Sequence, residues 1–323
     1  LGLGLDSGLL LRSLREALAV AGCDRRIVAT FQPERETPSA PPLERPPESL
    51  RPDRSETVTA VGHGSKMEIA PGVDFECLVG KLNGARKLTT GLVTFRPGSE
   101  LAYHTHAFAE SVTVLSGSLL IEVEGRRYTL NASAHITVPP GLAHCAQPIP
   151  SRSGAVAHIA MPTDSPSRTL TDRFFSRRAM DTDSTGVDGA ERVTRLQTAK
   201  RFEPGKGASF IDYFNGALIP GMPMSGGYGL FQPGGRLPAH VHDFDESICI
   251  VQGTATCIVE GRRYPMANCA TALEPRGRVH YFINESNGPM AMLWVYAGPS
   301  PERIIVDERC ATTEGNPWKE GQP

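Results

Sequence analysis

Residues 98–144 read GSELAYHTHAFAESVTVLSGSLLIEVEGRRYTLNASAHITVPPGLAH, and residues 234–280 read GGRLPAHVHDFDESICIVQGTATCIVEGRRYPMANCATALEPRGRVH. Laid side by side at an offset of 136, without a gap, they are identical at 18 of 47 positions, the whole of VEGRRY included. Self-similarity on this scale marks an internal duplication. Within each run, short stretches rich in Val, Ile, Leu, Thr and Tyr alternate with turn residues: SVTVL, RRYTL and HITVPPG in the first, SICIVQG and ATCIVEG in the second. That spacing predicts strands of about five residues in an antiparallel sandwich or barrel. The chain is therefore read as all-β, with two homologous domains in tandem.

The flanks read differently. Residues 7–22 have the marks of a short helix: Ser7 at its start, Leu10, Leu11, Leu14 and Leu18 on one face, and Gly22 at its end. Seven prolines then fall between Pro33 and Pro52, interleaved with charge, which predicts an extended linker or an arm. The expected organisation is a helix and Pro-rich arm over 1–64, a first domain over 65–178, a polar linker over 179–194, a second domain over 195–308 and a tail over 309–323.

Composition narrows the function. Lys and Arg number 33 against 35 Asp and Glu, and no basic block stands out, so neither nucleic acid nor an anionic membrane is an expected partner. No apolar run approaches the ~18 residues of a membrane helix. The seven cysteines form no CxxC pair and fit reduced thiols in a cytoplasmic protein. The opening residues carry no basic n-region and are not read as a signal peptide.

Six of the nine histidines occupy equivalent places in the two copies: His104, His106 and His144, then His240, His242 and His280. Each copy adds a glutamate four residues after its second histidine, Glu110 and Glu246, and a P-x-G turn before its third. Residues i and i+2 of a strand share a face, so His104 and His106 are expected to project side by side, with Glu110 at the same parity. His144 is expected from a neighbouring strand begun by the turn. Three imidazoles and a carboxylate brought to one point are ready metal ligands. Phe108 and Phe244 share the ligand parity and are expected to line the pocket or the core. Arg126, Arg127, Arg262 and Arg263 are read as a solvated turn or a subunit contact.

On these residues both halves resemble the cupin superfamily. Gly98, five residues, His104-Thr-His106, three residues, Glu110, six residues and Gly117 match its first motif, as do Gly234, His240-Val-His242, Glu246 and Gly253. The second motif appears as Pro139, Gly141 and His144, with Ser133 for its leading Gly and Pro148 for its Asn. It recurs as Pro275, Gly277, His280 and Asn284, with Cys269 for Gly. The resemblance implies a bicupin: two double-stranded β-helix (jelly-roll) barrels, each with a metal near its centre. Barrels stacked in a pseudo-symmetric pair would mimic a dimer within one chain, and open sheet edges leave room for a further homo-oligomer.

Nitrogen and oxygen ligation without sulfur suits Fe(II) or Mn(II) first, with Ni, Co or Zn as alternatives and up to two ions per chain. Four ligands leave two octahedral positions open, which favours a small anionic substrate of enolic, phenolic or oxo-acid type. The first expectation is a dioxygenase. The alternative is a redox-neutral lyase, decarboxylase, isomerase or hydrolase, and a second alternative is a non-enzymatic small-molecule binder. Tyr103, His135 and Tyr281 are the acid–base candidates that a redox-neutral route would need, though no motif stands behind them. The ligand runs HTHAFAE and HVHDFDE lack the Trp usual in oxalate decarboxylases, which counts against that particular activity.

Overall fold

The computed structural model describes residues 41–149, 153–180 and 190–319. Among them there is no α-helix, only strands and three short 3-10 turns. The helix expected over residues 7–22 lies outside the described residues. Among the described residues no helix is long and apolar enough to cross a membrane. The six described cysteines are free thiols.

Each half is two facing sheets, antiparallel throughout except for the short Arg178–Ala179 strand, which lies parallel to Arg126–Asn131. The first half has a seven-stranded sheet in the order Arg192–Thr194, His135–Val138, Glu110–Ser116, Ala155–Met161, Thr89–Phe95, Val73–Val79, Ser65–Ala70. It faces a six-stranded sheet containing Leu101–Thr105, His144–Pro148 and Ser118–Val123. The second half repeats this with a seven-stranded sheet running from Thr57–Thr59 through Thr271–Glu274, Glu246–Gln252 and Met290–Tyr296 to Arg201–Gly205, and a five-stranded sheet containing His240–Val241 and His280–Ile283. Alternating Val, Ile and Leu of the strands fill each barrel, for example Val112, Val114, Leu119 and Ile121 in the first, and Phe210, Ile248, Ile250 and Trp294 in the second. Burial of such side chains is the main stabilising term.

A third apolar cluster joins the barrels. Leu78, Leu88 and Leu92 of the first half pack with Ile211, Tyr213, Met224 and Leu293 of the second. Thr90 Oγ1 and Ser247 Oγ lie 2.7 Å apart within it. Arg54 Nη1 and Nη2 donate to Asp245 at 2.7 and 2.8 Å, and the Arg86 amide donates to the same carboxylate at 2.7 Å.

The halves also exchange edge strands. Thr57–Thr59 precedes the first barrel but pairs with Thr271–Glu274 of the second, while Arg192–Thr194 precedes the second barrel but pairs with His135–Val138 of the first. Each exchanged strand brings a glutamate. Glu191 accepts from Arg126 Nε and Nη2 at 2.5 and 2.9 Å and from Tyr128 Oη at 2.6 Å. Glu56 accepts from Arg262 at 2.5 and 3.0 Å and from Tyr264 Oη at 2.7 Å. The repeated RRY thus serves as a socket for the arm of the opposite half. Arg127 and Arg263 point elsewhere, to Glu122 and Glu285.

Glycine is required where the cupin motif ends. Gly117 and Gly253 have φ of 69° and 66°, and a Cβ on either would sit within 2.5 Å of a backbone oxygen. Ser133 and Cys269, which replace the motif's other glycine, keep its left-handed backbone at φ 71° and 61°.

Candidate metal centres

The Leu101–Thr105 strand runs antiparallel to His144–Pro148 with His144 directly opposite His104, so one ladder delivers two imidazoles. His106 follows just beyond the strand end. Glu110 arrives differently from the strand-parity expectation. The chain turns after Thr105, and Glu110 opens a strand of the facing sheet, so its carboxylate reaches the imidazoles from across the barrel. The second half repeats the arrangement, with His280 opposite His240. In each group one ligand atom from every residue lies within 4.8 Å of the others.

Hydrogen bonds fix the ring orientations. The Nδ1 atoms of His104, His106 and His144 face the carbonyls of Ala102, Ser167 and Leu142 at 2.8, 2.6 and 3.0 Å. Those of His240, His242 and His280 face Pro238, Phe244 and Arg278 at 2.8, 2.7 and 2.9 Å. A carbonyl only accepts, so every ring holds a proton on Nδ1 and turns Nε2 toward the cluster. His144 Nε2 lies 2.9 Å from Glu110 Oε2, and His280 Nε2 lies 3.0 Å from Glu246 Oε2. At that distance the two atoms are joined either by a proton on Nε2 or by a cation that takes its place. Among the described residues His106 Nε2 and His240 Nε2 are buried without a hydrogen-bond partner, His106 Nε2 lying 3.8 Å from Glu110 Oε2. This donor set fits a divalent transition metal, two per chain.

The electrostatics agree. Burial pulls His104 down to about 4, so it stays neutral and ready to ligate. Burial would raise Glu110, but His144 and the other imidazoles outweigh it and hold the carboxyl at about 2. Burial would lower His280, yet Glu246 and Glu274 lift it to about 9. Glu110 in the first barrel, and Glu246 with Glu274 in the second, thus recruit positive charge.

The two centres differ in access. The first opens into a cavity of about 350 Å³ bounded by all four ligands. Its wall is mostly apolar, with Phe75, Val93, Phe95, Val112, Leu119, Ile121, Val138, Ile159 and Met161 among the lining residues; Arg168 is its one cation and Glu68 its one further carboxylate. The second group is fully buried. The nearby cavity of about 280 Å³ touches Phe202, Phe210, Asp212, Trp294, Tyr296, Pro301 and Arg303 but none of the ligands. Strand register equates Trp294 with Ile159 and Tyr296 with Met161. Two large aromatics therefore occupy space that is open in the first barrel, and Tyr296 lies against His242 with ring centroids 5.0 Å apart. Sequence reasoning named neither Arg168 nor this aromatic pair, because both lie beyond the gapless alignment, where the equivalence resumes at a spacing of 135 residues.

The three acid–base candidates lie away from the ligand groups. Tyr103 Oη donates to Glu122 at 3.2 Å and accepts from the Gly125 amide. Tyr281 lies under the Arg236 guanidinium, 4.3 Å from its ring centroid. His135 is buried between the barrels, bonded to Thr113 and Thr137 and stacked on Tyr213 at 4.4 Å. Phe108 and Phe244 stack on the metal-ligand rings of His106 and His242.

Two tandem barrels of facing antiparallel sheets, each enclosing three histidines and a glutamate, define a class, and comparison with known proteins agrees. The cupin domain family model matches residues 91–147 and 227–296. The chain thus carries two cupin domains in tandem, the bicupin arrangement. Among curated proteins none matches it in sequence. Solved structures of like fold include the formate complex of Lactobacillus farciminis oxalate decarboxylase, 16% identical at a TM-score of 0.60 over 77% of this chain and 88% of that one. A tryptophan-to-tyrosine variant of Bacillus subtilis oxalate decarboxylase is 15% identical at 0.61, over 80% and 82%. A structure of the same Bacillus subtilis enzyme, described for its Mn(II) centres, is 15% identical at 0.60, also over 80% and 82%.

Proposed function

We propose that the protein is a metal-dependent, redox-neutral lyase of decarboxylase type, working at its first centre on a small anionic oxo-acid with an apolar body. The observation that carries this reading is the contrast in access: an open metal site is the catalytic pattern and a closed one the structural pattern. The fold shared with oxalate decarboxylases supports a lyase better than the dioxygenase favoured on sequence. Oxalate itself fits poorly, since it has no hydrocarbon to place against so apolar a wall. Mn(II) is the favoured ion, by likeness to the Bacillus subtilis enzyme and by the nitrogen and oxygen donors.

A divalent ion at the first centre would supply Lewis-acid polarisation of a chelated carboxylate or carbonyl. The chain's own part is to place and shield. Ser167 orients His106, Glu110 and the imidazoles set the local charge, and the apolar wall keeps water from the reacting end, where low dielectric strengthens each charge interaction. Loss of carbon dioxide breaks one C–C bond and leaves an electron pair that is quenched by a proton drawn ultimately from solvent once the cavity reopens, so no oxidant is consumed. The test is carbon dioxide release by manganese-loaded protein from a panel of branched and aromatic oxo-acids under nitrogen. Anaerobic turnover abolished by Glu110→Ala is the expected result. Turnover that requires and consumes O₂ would return the dioxygenase, and ligand-dependent stabilisation without turnover would leave a binding protein.

A further inference from the structure

Beyond the aligned runs a second, shorter repeat survives. Ser165-Pro166-Ser167-Arg168 and Ser300-Pro301-Glu302-Arg303 share the pattern S-P-x-R at a spacing of 135 residues. Each leads into a two-residue strand, Thr169–Leu170 or Ile304–Ile305, and each strand lies antiparallel on the strand that carries the paired histidines. Leu170 sits opposite His104, and Ile305 sits opposite His240. The same tether therefore fixes an arginine at the same place beside each ligand group, and both arginines line the cavity of their half.

Among the described residues neither guanidinium hydrogen-bonds or closely ion-pairs with a carboxylate, although Glu110 and Asp212 lie near enough to act on Arg168 and Arg303 through space. Arg168 Nη2 donates to the Ile69 carbonyl, and Arg303 Nη1 is buried with no partner. For the buried Arg303 Nη1 such isolation is costly unless something else completes it, while the half-buried Arg168 keeps donors turned to its open cavity. Around the arginine the duplication has replaced much of the wall, Ile159 by Trp294, Met161 by Tyr296 and Val138 by Glu274, while S-P-x-R remains. The loop also holds the first metal group directly, since Ser167, next to Arg168, provides the carbonyl that orients His106. A planar fork of N–H donors beside a metal group, over an apolar wall, is matched by a carboxylate with a hydrocarbon tail.

We propose that Arg168 is the carboxylate-recognising residue of the first cavity, binding the acidic head of the ligand while the apolar wall takes its tail. This rests on the reading of the first centre as the working site, and it names the feature that its substrates share: a carboxylate reaching both the metal and Arg168.

The test uses full-length protein loaded with cobalt(II), whose visible spectrum reports on metal-bound anions, titrated with formate, butanoate and hexanoate. The wild type is expected to bind all three at one site per chain, with affinity rising up to about fourfold for each methylene that the wall buries. Arg168→Gln is expected to weaken every acid roughly ten- to a hundredfold by a common factor, with cobalt content unchanged. Arg168→Lys, which keeps the charge but not the fork, is expected to fall between. Unchanged cobalt content shows that the variant is folded. Titrations of Arg168→Gln that superpose on the wild type would overturn the role of Arg168 and leave the metal reading standing, as would a wild-type spectrum unmoved by any of the acids. A first centre that takes up no cobalt would overturn the metal reading itself.

Discussion

Glu56 closes on Arg262 across 206 residues of chain, its two oxygens accepting from Nε at 2.5 Å and from Nη2 at 3.0 Å. The pair ties the arm before the first barrel to the second, and Glu191 with Arg126 forms its mirror. In both pairs the carboxylate is buried and the arginine reaches solvent. Replacement by glutamine is therefore expected to cost about 1–3 kcal/mol at each site, less than breaking a fully enclosed pair. The two sites share no partner, so Glu56→Gln and Glu191→Gln are expected to be additive in urea unfolding.

Acid should reveal the same contacts. Burial would raise both carboxyls, but hydrogen bonds from arginine and tyrosine outweigh it and hold them below the ordinary glutamate range. A depressed carboxyl stabilises the fold fully above its unfolded pKa, about 4.3, and loses that contribution as pH falls through the folded value. The expected outcome is a steep loss of stability below about pH 4 in the wild type and a shallower one in the double glutamine variant, measured by unfolding at a series of pH values.

Access should separate the two metals in time. The first group faces an open cavity and the second lies behind Trp294 and Tyr296. Added chelator is expected to remove one equivalent quickly and the other slowly, the slow phase requiring local opening of the second barrel. Glu110→Ala should abolish the fast phase and Glu246→Ala the slow one. Removal of both equivalents at one rate would contradict the sealed second centre.

Opening the second barrel is the complementary experiment. Trp294→Ile with Tyr296→Met installs the first barrel's residues at equivalent positions. The loss of buried aromatic volume is expected to cost about 3–5 kcal/mol. It should also bring the slow metal's release close to that of the fast one.

The left-handed serine offers a gain. Ser133 sits at φ 71°, where a side chain is strained by roughly 1 kcal/mol. Ser133→Gly is expected to raise the melting temperature by a few degrees or less, part of the relief being offset by the greater freedom of glycine in the unfolded chain. A lowered melting temperature would show that the serine makes a contact worth more than its strain.

The ligand groups were legible because metal chemistry tolerates little variation: histidine, histidine, glutamate and histidine stay at one offset through 47 residues of otherwise drifting sequence. Strand texture was legible for a similar reason, since alternating Val, Ile and Leu mark buried faces wherever they sit. The strand exchange was not. Its signal is E-x-V-T, at Glu56–Thr59 and Glu191–Thr194, four residues spaced by 135 rather than 136 and set in stretches that read as arm and linker. Strand pairing between distant segments leaves no local trace. The closure of the second centre was hidden as well, because Trp294 and Tyr296 read as ordinary core until register places them against Ile159 and Met161. His135 illustrates the converse: a histidine at the start of a strand near the ligands reads as chemistry, yet its two threonine partners and Tyr213 use it as interface packing.

Synthesis from the N-terminus treats the two barrels unequally. When residues 65–170 have left the ribosome, the first barrel still lacks its outermost strand and the glutamate that fills the RRY socket, both of which lie at 191–194. The second barrel emerges to find Thr57–Thr59 already made. An incomplete sheet edge is an aggregation hazard for as long as it waits. Cutting the gene between the barrels would make that wait permanent in both products, and the surest way to make either one alone is to splice each arm onto the barrel it completes.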